Sequence, residues 1–446
     1  MIEVPKKKIV NSFEQLIEVL QGTSIESSTY IINRIEIEVS KQNLKSILSK
    51  FKQEFRYYWK SADKTESLAL GKLFSFIPKG EIIPREITNT LSLSHKNIKV
   101  FVSLPYYNED LSEDEWKEFD FPKFFIPHVE VIQAEFGKCI LAVNLLQQDY
   151  QNRNYPISTL EGIFDKEVIV KNKIPKLSKK IKHSPDHPKW FKIFSSLQNE
   201  IKKENLQKVV LARKTLCDFE ATIIGEDVFE KLLQGQEYGY SYFFAHNSQA
   251  CFFGNSPELF FRRDGRQIIS SSIAGTIHYD ESNISNLNEF FHSTKENNEH
   301  NFVTKFIKEK FIELCEAGVE VSQKEILSFK KLKHLYQKIS GILKHGIDDN
   351  SIIENLHPTP ALGGSPIDKA IEFQRNNEGF DRGIYGGLVG YISIEKTELA
   401  VAIRCALAIK NKMFLYAGGG VVARSKAINE WQEINYKIDA YLRLFK

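Results

Sequence analysis

The 446-residue sequence is poor in sulfur, with five cysteines and two methionines. The cysteines (Cys139, Cys217, Cys251, Cys315, Cys405) lie far apart and form no CxxC pair. That excludes a zinc ribbon or a thioredoxin-like dithiol, and the odd, low count fits free thiols in a reducing cytosol. An excess of one charge is also missing. Lys+Arg number 60 and Asp+Glu 57, a net +3, which gives no electrostatic case for nucleic acid or an anionic membrane as partner. No apolar run approaches the roughly 18 residues that a transmembrane helix needs. The opening MIEVPKKKIV has neither the apolar stretch nor the small-residue cleavage site of a signal peptide. The expectation is a soluble cytoplasmic protein. What is present is globular: 42% hydrophobic and 26% charged residues, with 32 phenylalanines, enough to bury a large core.

The first half reads as strands and short helices, with Ile98–Leu104 and Cys139–Leu145 the strongest strands. The basic, proline-bearing stretch 171–189 reads as a solvated linker, because it lacks the interleaved aromatics of a nucleic-acid surface. A boundary is placed there, between 1–187 and 188–446. Trp190–Glu204 then has helical apolar spacing. Strands are predicted at Lys208–Leu216, Tyr240–Phe244, Ala250–Phe253, Leu259–Arg263 and Gln267–Ser271, with Asp264-Gly265 as a hairpin turn. A long helix is predicted over Asn288–Cys315. Strands at Gly386–Ser393, Thr397–Ala408 and Lys412–Tyr416 follow, the last closing on a glycine turn at 417–420, and a helix from Lys426 to Leu444 ends the chain. Strands in clusters with helices between them predict an α+β fold with mainly antiparallel sheet.

Several residues suggest chemistry. Glu430, Glu433 and Lys437 share one face of the last helix. A surface ion-pair stripe is the common outcome of such spacing. The preceding glycines and the helix N-terminus would, however, suit an anion such as a substrate carboxylate. Glu433 as a Mg²⁺ ligand would reconcile acid and anion, because Mg²⁺ takes few carboxylates and leaves room for substrate oxygens. A second acid is needed, and Glu299 and Glu296 on the long central helix compete for the place. Glu258 follows Ser256-Pro257, whose stiff backbone would present it as a general acid if burial raised its pKa. Lys208 opens an apolar strand. It would snorkel at a strand end, or act as a base if buried. Arg404 inside VAIRCALAI needs an anionic partner to be buried. His334 in KKLKHLYQKI is divided evenly between core and pocket. Gly386-Gly-Leu-Val-Gly390 lacks dinucleotide-loop spacing, Gly418–Gly420 is not a P-loop, and no GxSxG occurs.

Together the motifs resemble the chorismate-utilising enzyme family, and within it most closely the isochorismate synthases. KVVLAR (208–213), SPELFF (256–261), IAGT (273–276), KENNEH (295–300), HPTPALGG (357–364), DRGIYGGLVGYI (381–392), AIR (402–404) and AGGG…EWQEINYK (417–437) occur in family order over roughly residues 188–443. Residues 1–187 resemble the variable N-terminal part of that fold, which resembles anthranilate synthase component I: mainly antiparallel sheets packed together and surrounded by helices. The resemblance implies an isomerase acting on the small molecule chorismate, with Mg²⁺ as cofactor. It implies Lys208 as the water-activating base and Glu258 as the general acid. It puts metal carboxylates at Glu299 and Glu433, deciding against Glu296, and substrate contacts at Gly275, Thr276, Ala361, Arg404, Gly418 and Lys437. It implies no glutamine amidotransferase partner, and a monomer.

Lys208 with Ala274 separates this chain from the aminating members, which commonly carry glutamine at the first position or a nucleophilic lysine at the second. Salicylate synthases share the lysine but usually differ from HPTPALGG. Two departures stand out: Glu296-Asn297-Asn298 replaces the family's more usual Asp-Arg-x, and Gly419 stands where alanine is common.

Overall fold

Tyr57 and Trp59 point one way from their strand and Tyr58 the other, and this alternation organises the molecule. The computed structural model describes residues 31–445 except 77, 79–80, 108–111, 147–153, 165–173, 235–237, 280–284, 317 and 330–331. Its strands form two large antiparallel sheets. In the first, Ile32–Val39, Cys139–Leu146, Val129–Gln133, Glu66–Leu70 and Arg56–Lys60 lead into Tyr240–Ala245, Ala250–Ser256, Cys405–Ile409, Lys412–Val422 and Lys208–Phe219. In the second, Leu332–Ile342, Gln267–His278, Leu259–Asp264, Lys396–Val401 and Leu388–Ile392 lead into Val100–Leu104, Phe124–Ile126 and Phe74–Phe76. Arg56–Lys60 pairs with Tyr240–Ala245, and Val100–Leu104 pairs with Leu388–Ile392. Residues on both sides of position 187 therefore build the same two sheets.

The sheets face each other across an aromatic core. Tyr57 stacks on Phe244 at 4.9 Å and meets Phe101 of the opposite sheet at 5.0 Å. On its other face the first sheet carries Leu44–Lys50, His187–Lys202 and Ala427–Leu442, packed through residues such as Trp190, Leu197 and Ile434. The second sheet carries Arg85–Leu93, Thr294–Leu314 and Asp349–Leu356 through Ile87, Val303, Ile307 and Ile352. The result is an α+β fold with helices outside two packed sheets, as the residues predict. All five cysteines are buried and free. No described helix is long and apolar enough to cross a membrane.

Four local expectations are corrected. Within the presumed linker 171–189, Leu177–Ser184 is a strand paired with Lys208–Phe219. Its prolines, 175, 185 and 188, lie outside it and leave its N–H groups free to pair; residues 171–173 lie outside the described residues. The long central helix is two, Ser285–His292 and Thr294–Leu314, because the Ser293 side chain caps the second by accepting from Glu296 N at 3.4 Å. The strand expected over Thr397–Ala408 is broken between Val401 and Cys405, where Arg404 takes φ +52°. The glycines at 418–420 make no turn. They continue Lys412–Val422 as a strand, with Gly418, Gly419 and Gly420 opposite Ala212, Leu211 and Val210.

Candidate active site

The last of those glycines has a reason in the helix packed against it. A Cβ at Gly420 would overlap Glu299 Oε1, so only a bare backbone lets Thr294–Leu314 bring Glu299 against the strand. A cleft opens beside this contact. Nine of the ten residues to which the resemblance gives a role line it: Glu258, Gly275, Thr276, Glu299, Ala361, Arg404, Gly418, Glu433 and Lys437. The tenth, Lys208, lies on the strand carrying the cleft residue Val210, two positions away and so on the same face. Its Nζ is fully buried, 3.3 Å from Glu299 Oε1, and makes no hydrogen bond among the described residues.

Glu258 is also buried. Its backbone is fixed on both sides: its N–H donates to Ser256 Oγ at 3.2 Å and its carbonyl accepts from Val401 N at 3.1 Å. Burial pushes its carboxyl up to about 8, against the opposing pull of Lys208 and Lys437. The group therefore holds a proton at neutral pH, the state a general acid requires.

Four carboxylates lie on two helices, Glu296 and Glu299 on one and Glu430 and Glu433 on the other. Lys295 Nζ bridges the helices, 3.2 Å from Glu296 and 2.9 Å from Glu430. Burial, then the charge of Glu299, pushes Glu296 up to about 7. Burial, then Glu433, does the same to Glu430. Glu433 goes the other way. Burial would raise it, but Lys437, bonded to it at 2.6 Å, together with Lys295 and Arg404, holds it below the usual carboxylate range. Glu296 is turned away from the cleft: it accepts from Thr276 N at 3.1 Å, and Gly275, at φ +75°, leaves room for it. Glu299 and Glu433 are thus the two that face the cavity. Two hard oxygen donors facing one cavity suit Mg²⁺, which needs few protein ligands. No larger cluster of three or more His, Cys, Asp or Glu is arranged for a metal among the described residues.

Cations line the same cleft. Arg404 is pushed down to about 10, chiefly by burial, and stays charged at neutral pH. One guanidinium N–H donates to His334 Nε2 at 3.1 Å. Because a guanidinium only donates, Nε2 must accept, and the ring proton sits on Nδ1. Nδ1 lies 3.3 Å from Gly275 O and 3.2 Å from Thr276 Oγ1. Burial, then Arg404 and Lys437, keep this imidazole neutral by lowering it well below its usual value. Lys437 also donates to Gly418 O at 2.7 Å. Ala361 enters on the HPTPALGG loop. There Leu362 O accepts from Gln374 at 3.0 Å, Arg382 at 3.1 Å and Tyr106 at 3.2 Å.

Sequence reasoning left His334 undecided, and the structure places it in the cleft wall. Tyr385 was missed, although it lies within the DRGIYGG run, and so was Lys295, first residue of KENNEH. No local pattern marks either, since their partners come from other elements. His300 of the same run faces elsewhere, with Nε2 3.1 Å from Gln337.

Residues 18–446 match the family described as chorismate binding enzyme. The chain is 31% identical over 363 residues to the chloroplastic isochorismate synthase of Catharanthus roseus, 74% of this chain and 59% of that protein. It is 34% identical over 259 residues to the isochorismate synthase MenF of Bacillus subtilis (strain 168), 57% of this chain and 54% of that one. The matched regions thus span little more than half the length of these two relatives. In fold, the chain resembles the solved MenF isochorismate synthase of Escherichia coli, with TM-score 0.84, 24% identity, and 97% and 98% of the two chains covered. It also resembles anthranilate synthase component I of Streptococcus pneumoniae TIGR4, with TM-score 0.69, 16% identity, and 98% and 100% covered.

Proposed function

Because the chain belongs to the chorismate binding enzyme family, we propose that it is an isochorismate synthase, which isomerises chorismate to isochorismate. The observation that carries this reading is the pair of unlike groups at one cleft. Glu258 is protonated near neutrality, and the buried Lys208 nitrogen, 3.3 Å from Glu299, makes no hydrogen bond among the described residues.

The substrate is a cyclohexadiene with two carboxylates. Arg404 and Lys437 supply cationic partners for them, in a partly desolvated cleft where such pairing is strong. The Lys208 amine takes a proton from a water molecule as that water bonds to C2. The ring double bonds shift, the C4–O bond breaks, and Glu258 gives its proton to the departing hydroxyl. One water enters and one leaves, so the reaction is an isomerisation. The Lys208 proton and the Glu258 vacancy are then restored by exchange with solvent. Glu299 and Glu433 would hold Mg²⁺, which when bound neutralises the ring carboxylate. Gly275, Thr276, Ala361 and Gly418 shape the wall against the ring. Water as nucleophile removes the need for a glutamine amidotransferase partner, and we place the enzyme in the cytoplasm as a monomer. Its product would serve menaquinone or siderophore synthesis.

The test is product analysis with purified protein, chorismate and Mg²⁺, without ammonia. Isochorismate is the expected product. Salicylate with pyruvate as the main products would make the protein a salicylate synthase instead, and a requirement for ammonia would make it an aminating enzyme.

A further inference from the structure

Arg404 adopts φ +52°, a left-handed conformation disfavoured for any residue with a Cβ, so surrounding contacts must hold it. Two tyrosines from different elements do so. The Tyr441 hydroxyl, from the helix Ala427–Leu442, donates to Arg404 O at 2.5 Å. The Tyr242 hydroxyl, from the strand Tyr240–Ala245, donates to Ile403 O at 3.0 Å. Both rings are buried, and burial pushes both phenols well above their usual range, so they stay protonated donors. The guanidinium itself has one hydrogen bond among the described residues, to His334, and otherwise lies over the Phe329 ring at 5.5 Å. Its aim into the cleft therefore depends on the backbone beneath it. The helix that supplies Tyr441 also supplies Glu433 and Lys437. One element thus sets the relative placement of three charged groups at the cleft.

We propose that Tyr441 is a positioning residue for substrate binding, its hydroxyl locking Arg404 in the conformation that presents the guanidinium to a substrate carboxylate, with Tyr242 in support. This rests on the reading of Arg404 as a carboxylate partner. A purely structural role is distinguishable. Arg404 O also accepts from Asn255 N at 3.1 Å, so removing the Tyr441 hydroxyl orphans no buried acceptor. The cost falls on the orientation of the arginine.

The experiment compares Tyr441→Phe in the parent and in an Arg404→Ala background, measuring kcat, KM for chorismate and Tm on the full chain. In the parent, KM rises at least about five-fold while kcat stays within about two-fold, the pattern of a lost ground-state contact. In the Arg404→Ala background the same change leaves KM unaltered. Should Tyr441→Phe not fold, Tyr242→Phe carries the same expectation. An unchanged KM in the parent, or an equal rise in both backgrounds, overturns the inference while leaving the proposed function standing. A parent protein that does not turn over chorismate rejects that function and the inference with it.

Discussion

Gly420 and Glu299 meet so closely that one added carbon at the glycine would collide with the carboxylate. The atom struck is the end of a flexible side chain, and Gly420 has no left-handed φ, so the fold tolerates alanine while Glu299 must swing away. Gly420→Ala is expected to keep its Tm within a few degrees and to lose about 10²-fold in kcat/KM, the scale of an ångström-sized misplacement. A variant with parental activity would show that Glu299 need not sit where it does.

Glu258 makes a second prediction, in pH. It must carry its proton to act, so kcat/KM should fall as pH rises through about 8. Glu258→Gln should cost at least about 10²-fold and abolish that alkaline limb. Its contribution to stability moves the same way. The raised carboxyl binds a proton in the folded state that the unfolded chain releases near 4.5, so the stabilisation is complete below that pH and is lost as pH rises towards 8. Thermal melts should therefore show Glu258→Gln gaining on the parent between pH 5 and about 8.

Lys208→Ala should likewise lower kcat at least about 10²-fold. Circular dichroism and chorismate titration should show the variant folded and still binding. Full activity would remove Lys208 from the proton transfer.

Chelation should abolish turnover, and added Mg²⁺ should restore it. Glu433→Gln should raise the Mg²⁺ concentration needed for half-maximal rate, and calorimetric titration should show weaker Mg²⁺ binding in the absence of substrate. Activity persisting in chelator would contradict the assignment of Glu299 and Glu433.

Lys295→Met tests the acid cluster. The change leaves Glu430 and Glu296 without their bridging cation, and breaking a buried pair costs about 3 kcal/mol. Both carboxyls are already pushed up to about 7, so protonation relieves the penalty on the acid side. The loss in Tm should be larger at pH 8 than at pH 6. A pH-independent loss would mean that the lysine acts through packing alone.

The sequence alone determined the class of fold and pointed to nine residues that the structure brings to one cleft. Strands such as those expected at Ile98–Leu104 and Cys139–Leu145 are legible because runs of apolar and β-branched residues mark them, and they form as Val100–Leu104 and Cys139–Leu146. Glu258, Glu299, Arg404 and Glu433 stood within recognisable runs. Long-range pairing decided the rest. Nothing local says that Gly418–Gly420 is strand, since a glycine run signals a turn until Glu299 arrives from about 120 residues away to need the space. Nothing local reveals the left-handed backbone of Arg404 or its two tyrosine donors. Nor does the chain order show that Glu296 turns to Thr276 while Glu299 faces the cleft. Proton affinities such as that of Glu258 belong to this second category as well, because desolvation is a property of everything packed around a group.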